Sequence, residues 1–204
     1  MTKAHKLALH TWTLETTPLA DVLRVARGTG WDAIELRRLD FTRAAEQSQT
    51  AADVIRSVKS SRLPVACVGV EFGWMWASGA ERARLLQVFA EQCERAQELG
   101  ARTVMSPVDR GRGDLGQAAQ SLREVADIAT RHGVRLALEF NSQADQFNSL
   151  ERIRELTARA SHPGCGLLLD AYHLGRSGSS PRAIEDVAPE EIAYVQFSDV
   201  PRSG

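Results

Sequence analysis

Short apolar runs alternate along the chain with longer segments whose apolar positions recur every three or four residues. The short runs predict strands at KLALHTW (6–12), DAIEL (32–36), PVACVGVEF (64–72), RTVMS (102–106), VRLALEF (134–140), CGLLLDA (165–171) and IAYVQFS (192–198). The longer segments predict helices. In ERARLLQVFAEQCERAQELG the apolar side is Leu85, Phe89, Cys93, Ala96 and Leu99, and Gly100 closes it as a C-terminal stop. Leu115, Ala118, Leu122, Val125 and Ala129 form the same kind of stripe in the next helix, which ends near Gly133. No linker, low-complexity stretch or shift in composition divides these units, so the expectation is one domain over residues 1–204.

Strands that alternate with helices pair in parallel through right-handed crossovers. Two architectures suit that pattern, a doubly wound open sheet and a (β/α)8 TIM barrel. A nucleotide-binding open sheet would show a glycine-rich turn after its first strand, and HTWTLETTPLAD has neither GxGxxG nor a Walker sequence. The α/β reading is therefore a (β/α)8 TIM barrel. Seven strands do not close eight, and a barrel of this kind needs about 250 residues. The sequence is expected to lack the eighth strand and helix.

Composition narrows the partners. With 25 basic and 26 acidic residues, nothing favours nucleic acid or an anionic membrane surface. No apolar run reaches the roughly 18 residues that cross a bilayer, and the N-terminus has no signal-peptide h-region or cleavage site. Cys67, Cys93 and Cys165 are widely spaced and odd in number, which fits reduced, buried thiols in a cytoplasmic protein.

Candidate chemistry sits where the strands end, since a parallel barrel sends all those ends to one face. Reading them gives His10 with Trp12, Glu35, Glu71, Ser106, Glu139 with Asn141, Asp170 with His173, and Gln196 with Asp199. Four strands finish on a carboxylate. Carboxylates crowded at one face repel, and a divalent cation with oxygen ligands resolves the repulsion. Glu139, Asp170 and Gln196 come from three successive strands and are the candidate ligands, although a lone glutamine at a strand end more often bonds a loop backbone. His173 either faces the substrate, caps the following helix or packs on Tyr172. Glu35 shapes the pocket or pairs with Arg37; Trp12 lines the pocket or merely packs. The glycine-bracketed aromatic segment GVEFGWMWASG (69–79) is expected to be a lid, or else an apolar contact for a second subunit in a homodimer.

LALEFN, GLLLDAYHLGRSG, YVQFSDVP and WDAIELR resemble the xylose-isomerase-like barrel superfamily, broadly the sugar phosphate isomerases and epimerases. Hydroxypyruvate isomerases, inosose-processing enzymes, 3-dehydroshikimate dehydratases and endonuclease IV type nucleases belong to the same superfamily. The resemblance runs from about residue 6 to the end. It implies that Glu139, Asp170 and Gln196 hold a divalent Mn, Mg, Co or Zn ion. Glu139 would also act as base, and His173 would protonate or orient a substrate oxygen. His10, Trp12, Glu35, Glu71, Asn141 and Asp199 are expected to bind a small carbohydrate-like substrate. The family's fourth ligand, a glutamate on the eighth strand, has no matching position. The nuclease branch carries histidines at the ends of strands three and four, and here those places hold Glu71 and Ser106. What remains is a metal-dependent isomerase or epimerase working through an enediolate, with a dehydratase or a non-catalytic barrel relative as alternatives.

Overall fold

The computed structural model describes residues 6–199. Its strands are β1 (Ala8–His10), β2 (Ala33–Leu36), β3 (Val65–Gly69), β4 (Thr103–Pro107), β5 (Arg135–Glu139), β6 (Cys165–Asp170) and β7 (Ile192–Gln196). They form one parallel sheet in chain order, which leaves β1 and β7 as its two edges. The helices between them are α1 (Leu19–Gly28), α2 (Arg38–Glu46), α3 (Ala51–Ser61), α4 (Gly79–Glu98), α5 (Leu115–Arg131) and α6 (Leu150–Ala160), with the short α7 (Ala171–Arg176) directly after β6. Among the described residues this is a curled seven-stranded portion of a TIM barrel, and no helix is long and apolar enough to cross a membrane.

The helical stripes behave as their spacing requires. Leu85, Phe89, Cys93 and Ala96 are buried on α4, as are Ala118, Leu122, Val125 and Ala129 on α5. Gly100 and Gly133 follow the two helices at φ +74° and +69°, the left-handed conformation that ends a helix and that side chains disfavour.

Pleating sorts the strand residues between two sides. Leu136, Leu138, Leu167 and Leu169 join the hydrophobic cluster formed with the helices. Ala137 and Leu168 are fully buried but outside that cluster, so they face the interior of the curl. Glu139 and Asp170 share their parity and therefore point inward too. At the opposite end of the curl, Arg135 reaches under the sheet to the carbonyls of Glu190 at 2.7 Å and Ile192 at 3.4 Å. Gly166 leaves room for that arm.

Three sequence expectations change. The first strand stops at His10 because a 3-10 turn, Thr11–Leu14, carries Trp12 away from the ladder. The third ends at Gly69, so Glu71 lies in the following loop. That loop is also no simple cover. Trp74 and Met75 are buried in the core cluster, and Asp109 accepts hydrogen bonds from the backbone N–H of Gly73 at 2.6 Å and Met75 at 2.9 Å. The aromatic content that suggested a lid is mostly core, with Phe72 its exposed ring.

Two glycines should respond oppositely to alanine. A Cβ on Gly166 would lie 2.6 Å from the Arg135 guanidinium and 2.8 Å from the Glu191 carbonyl, so Gly166→Ala should cost about 1–3 kcal/mol. A Cβ on Gly28 meets nothing within 4 Å, so Gly28→Ala should gain about 0.4–1 kcal/mol by restricting the unfolded chain. Urea denaturation midpoints of the two variants measure both signs.

Candidate metal centre at the strand ends

Glu139 is the last residue of β5 and Asp170 the last of β6. One oxygen of each and one ring nitrogen of His173 all lie within 4.8 Å of one another. Glu139 is 7 % exposed. Burial, then the charges of Asp170 and Glu35, push its carboxyl up to about 8. His173 Nε2 stands 4.0 Å from Glu139 Oε1, beyond hydrogen-bonding distance.

Asp170, not His173, caps the helix that follows. Its Oδ1 accepts from Tyr172 N–H at 2.9 Å and from the Ser198 hydroxyl at 3.2 Å. His173 is held from the other side. The Ser142 backbone N–H donates to His173 Nδ1 at 3.3 Å, and the Ser142 hydroxyl lies 3.0 Å from the same nitrogen. The ring packs edge-on to Tyr172 with centroids 5.3 Å apart and sits 6.2 Å from the ring of Phe140. Burial lowers its pKa, with Asp170 pulling the other way. A backbone N–H can only donate, so Nδ1 is the acceptor and the neutral ring carries its proton on Nε2, the nitrogen beside Glu139. In that tautomer His173 offers the carboxylates an N–H rather than a lone pair.

Gln196 and Asp170 are Cα partners across β6 and β7. The register slips between Leu167 and Leu168, where Ala193 is the extra residue, and this brings Tyr194 and Gln196 into line with Leu168 and Asp170. Gln196 Nε2 donates to Glu35 Oε1 at 2.5 Å, and the Tyr194 hydroxyl donates to Glu35 Oε2 at 3.1 Å. Glu35 is 3 % exposed. Burial raises its carboxyl to about 7, against the two hydrogen bonds that favour the ionised form. His10 Nε2 is 3.9 Å away, and burial followed by the charge of Arg37 lowers the His10 pKa to about 4. Arg37, the partner the sequence suggested for Glu35, pairs instead with Asp40 at 3.5 Å and Glu15 at 3.6 Å.

The other strand-end candidates have their own surroundings. Trp12 is 61 % exposed, with the Arg37 guanidinium 5.9 Å from its ring. Glu71 pairs with Arg38 at 3.3 Å. The Asn141 side-chain oxygen accepts from Gln143 N–H at 2.9 Å in a local turn. Asp199 is exposed beyond β7. Sequence reasoning missed Ser142 and Tyr194. Tyr194 was findable, since it lies two residues before Gln196 and so on the same face; Ser142 sits in a loop with no period to mark it.

The donor chemistry suits a hard divalent cation. Two carboxylates within reach of each other, with Gln196 paired to Asp170 on the neighbouring strand, could supply oxygen ligands of the kind a hard divalent ion takes. Burial first, and then the charges of Asp170 and Glu35, raise the Glu139 carboxyl, and a cation would offset the charge part of that shift.

Residues 23–204 match the family model described as xylose isomerase-like TIM barrel. A 3-dehydroshikimate dehydratase of Pseudomonas aeruginosa is 32 % identical over 129 residues, which is 60 % of this chain but 20 % of that much longer protein. An inosose isomerase of Bacillus velezensis is 24 % identical over 197 residues, covering 92 % of this chain and 69 % of the isomerase. The crystal structure of the IolI protein with a bound zinc atom superimposes with a TM-score of 0.84 at 21 % identity, over 96 % of this chain and 73 % of that one.

The two raised glutamates set a pH dependence. Each binds its proton more tightly folded than unfolded, raised from the ordinary glutamate value of 4.5 to about 8 for Glu139 and about 7 for Glu35. The folded state therefore holds more protons over that range, and stability falls as pH rises. The lowered histidines work in the opposite direction, but only below about pH 6.5. Chelator-treated protein should lose on the order of 2 kcal/mol of unfolding free energy between pH 6.5 and 8. Glu139→Gln, or saturating Mn2+, should remove most of that loss. Urea titrations at the two pH values give the answer, and an equal slope in Glu139→Gln would contradict it.

Proposed function

The chain belongs to the xylose isomerase-like TIM barrel family, and from that premise we propose that it is a divalent-metal-dependent isomerase or epimerase acting on a sugar, sugar phosphate or related hydroxy-ketone. The observation that carries the proposal is the buried Glu139 held beside Asp170 and His173 at the ends of adjacent strands. A cytoplasmic setting accords with three free thiols.

Glu139, Asp170 and Gln196 would hold the cation, which when bound supplies Lewis-acid polarisation of a substrate carbonyl. Glu139 takes the proton from the carbon next to that carbonyl, leaving an enediolate. A carboxyl whose pKa lies near neutrality can both accept and return a proton at physiological pH. His173 presents its Nε2–H on the same side and donates to the substrate oxygen where charge develops; Ser142 keeps the ring turned that way. Return of that proton to the former carbonyl carbon, as the hydroxyl proton of the first carbon passes to the former carbonyl oxygen by way of His173, completes isomerisation. Loss of a β-hydroxyl from the same enediolate would complete a dehydration, and the 32 % identity to a dehydratase supports that as the second reading. His10, 3.9 Å from Glu35, lines the side toward β1, and the substrate classes that suit this chemistry are keto-sugars, hydroxypyruvate, inosose and dehydroshikimate.

Screening these four substrate types with Mn2+, Mg2+, Co2+ or Zn2+ tests the activity. Asp170→Asn keeps the helix cap, since asparagine caps as well as aspartate, yet loses a charged ligand. It should fold normally and lose metal-dependent turnover. His173→Ala should lower kcat by about 10²–10⁴-fold, the range for a general acid or base, while Mn2+ still binds. Full activity in His173→Ala would reduce the histidine to a packing role.

A further inference from the structure

A glutamine side chain can hold a metal ion in only one of its two orientations. Its carbonyl oxygen has lone pairs to give, whereas its NH2 group has only donors and would turn two hydrogens toward the cation. Since the two orientations occupy nearly the same volume, packing alone does not choose between them. A hydrogen-bond partner must.

Glu35 is that partner. It accepts the Gln196 NH2 group on Oε1 at 2.5 Å. Both oxygens of Glu35 act as acceptors in this arrangement, and an accepting oxygen takes the nitrogen end of the amide rather than its oxygen end. Glu35 itself is pinned, because the Tyr194 hydroxyl donates to its other oxygen at 3.1 Å. Both oxygens are thus engaged by the chain's own donors, and the residue is buried. The contact is not one between sheet neighbours. Glu35 lies on β2 and Gln196 on β7, with β3 to β6 between them in the sheet, so the bond crosses the interior of the curl.

We propose that Glu35 is a positioning residue that fixes the amide of Gln196 with its nitrogen turned away from Asp170's side of the site, leaving Oε1 as the atom presented to a cation at Glu139 and Asp170. This rests on the reading of Gln196 as a metal ligand. It gives Glu35 a different task from substrate binding. Neutralising Glu35 as Glu35→Gln keeps its size but adds an NH2 group, which can donate to Gln196 Oε1 and so permits the wrong orientation.

Manganese titration by calorimetry of the wild-type chain, Glu35→Gln, Gln196→Ala and the double variant separates this from simple charge loss. Gln196→Ala and Glu35→Gln should each weaken Mn2+ binding about tenfold or more, as partners of metal ligands generally do. In the Gln196→Ala background Glu35→Gln should weaken binding much less, because only the loss of a nearby negative charge remains and there is no amide left to orient. A charge effect would persist in both backgrounds, and equal losses in both would overturn the proposal. A second readout needs no metal. The Gln196 side-chain NH2 resonances, identified by their loss in Gln196→Ala, should show one proton shifted downfield by the carboxylate and should move toward the free-amide position in Glu35→Gln. Unchanged resonances would also overturn it. Failure of the underlying reading looks different: Mn2+ affinity in Gln196→Ala would equal that of wild type, or the wild-type chain would bind no Mn2+ at all.

Discussion

Carboxylates gathered inside a curled parallel sheet repel one another, and the rest of this site is arranged around that repulsion. Glu139 and Asp170 end adjacent strands, and Glu35 adds a third negative group that both of them feel. At separations near 4 Å, two like charges cost about 4 kcal/mol for an effective dielectric near 20. A fold of marginal stability relieves that strain by protonation, by hydrogen bonding or by a cation. Each carboxylate here is treated differently. Glu35 is stabilised by two donors from β7. Asp170 spends one oxygen on the first turn of α7. Glu139 is left in the most strained position, buried with His173 Nε2 4.0 Å away. The least compensated carboxylate is the one assigned the proton transfer, as pKa tuning in active sites requires.

The surrounding polar contacts serve orientation more than stability. Ser142 selects the tautomer of His173, and Glu35 selects the rotamer of Gln196. Asp109 holds the loop after β3 through two backbone N–H groups, and with it Trp74 and Met75 stay in the core. Loops at this face are therefore anchored by side chains of neighbouring loops.

The sequence carried the architecture because that information is local. Period-two and period-3.6 patterns, with Gly100 and Gly133 as stops, located the seven strands and the two long helices to within a few residues. Strand-end position brought out Glu139 and Asp170 for the same reason. What escaped depends on contacts between distant elements. The pull of the turn on Trp12, the pairing of Glu71 with Arg38 and the burial of Trp74 are decided by neighbours far along the chain. The Glu35–Gln196 bond needs the curl of the sheet and the one-residue slip in β7, and neither leaves a mark on residue spacing. Arg37 was the natural local partner for Glu35, yet it lies two residues on and finds Asp40 and Glu15 instead.

The relative placement of Glu139 and His173 also bears on which reaction the described residues support. An Nε2–H and a carboxyl oxygen 4.0 Å apart would approach a substrate bound between the strand ends from one side. A base and an acid on one side can carry a proton from one carbon to its neighbour. They can also remove a proton and protonate a departing hydroxyl on the same face. Inverting one carbon is a different task, because the proton must return from the opposite face. Glu35 lies across the curl and titrates near neutrality, but both of its oxygens are occupied by Gln196 and Tyr194. Under the proposed roles, then, the pair of Glu139 and His173 would serve isomerisation and same-face dehydration, whereas epimerisation would require a second proton carrier facing them across the substrate.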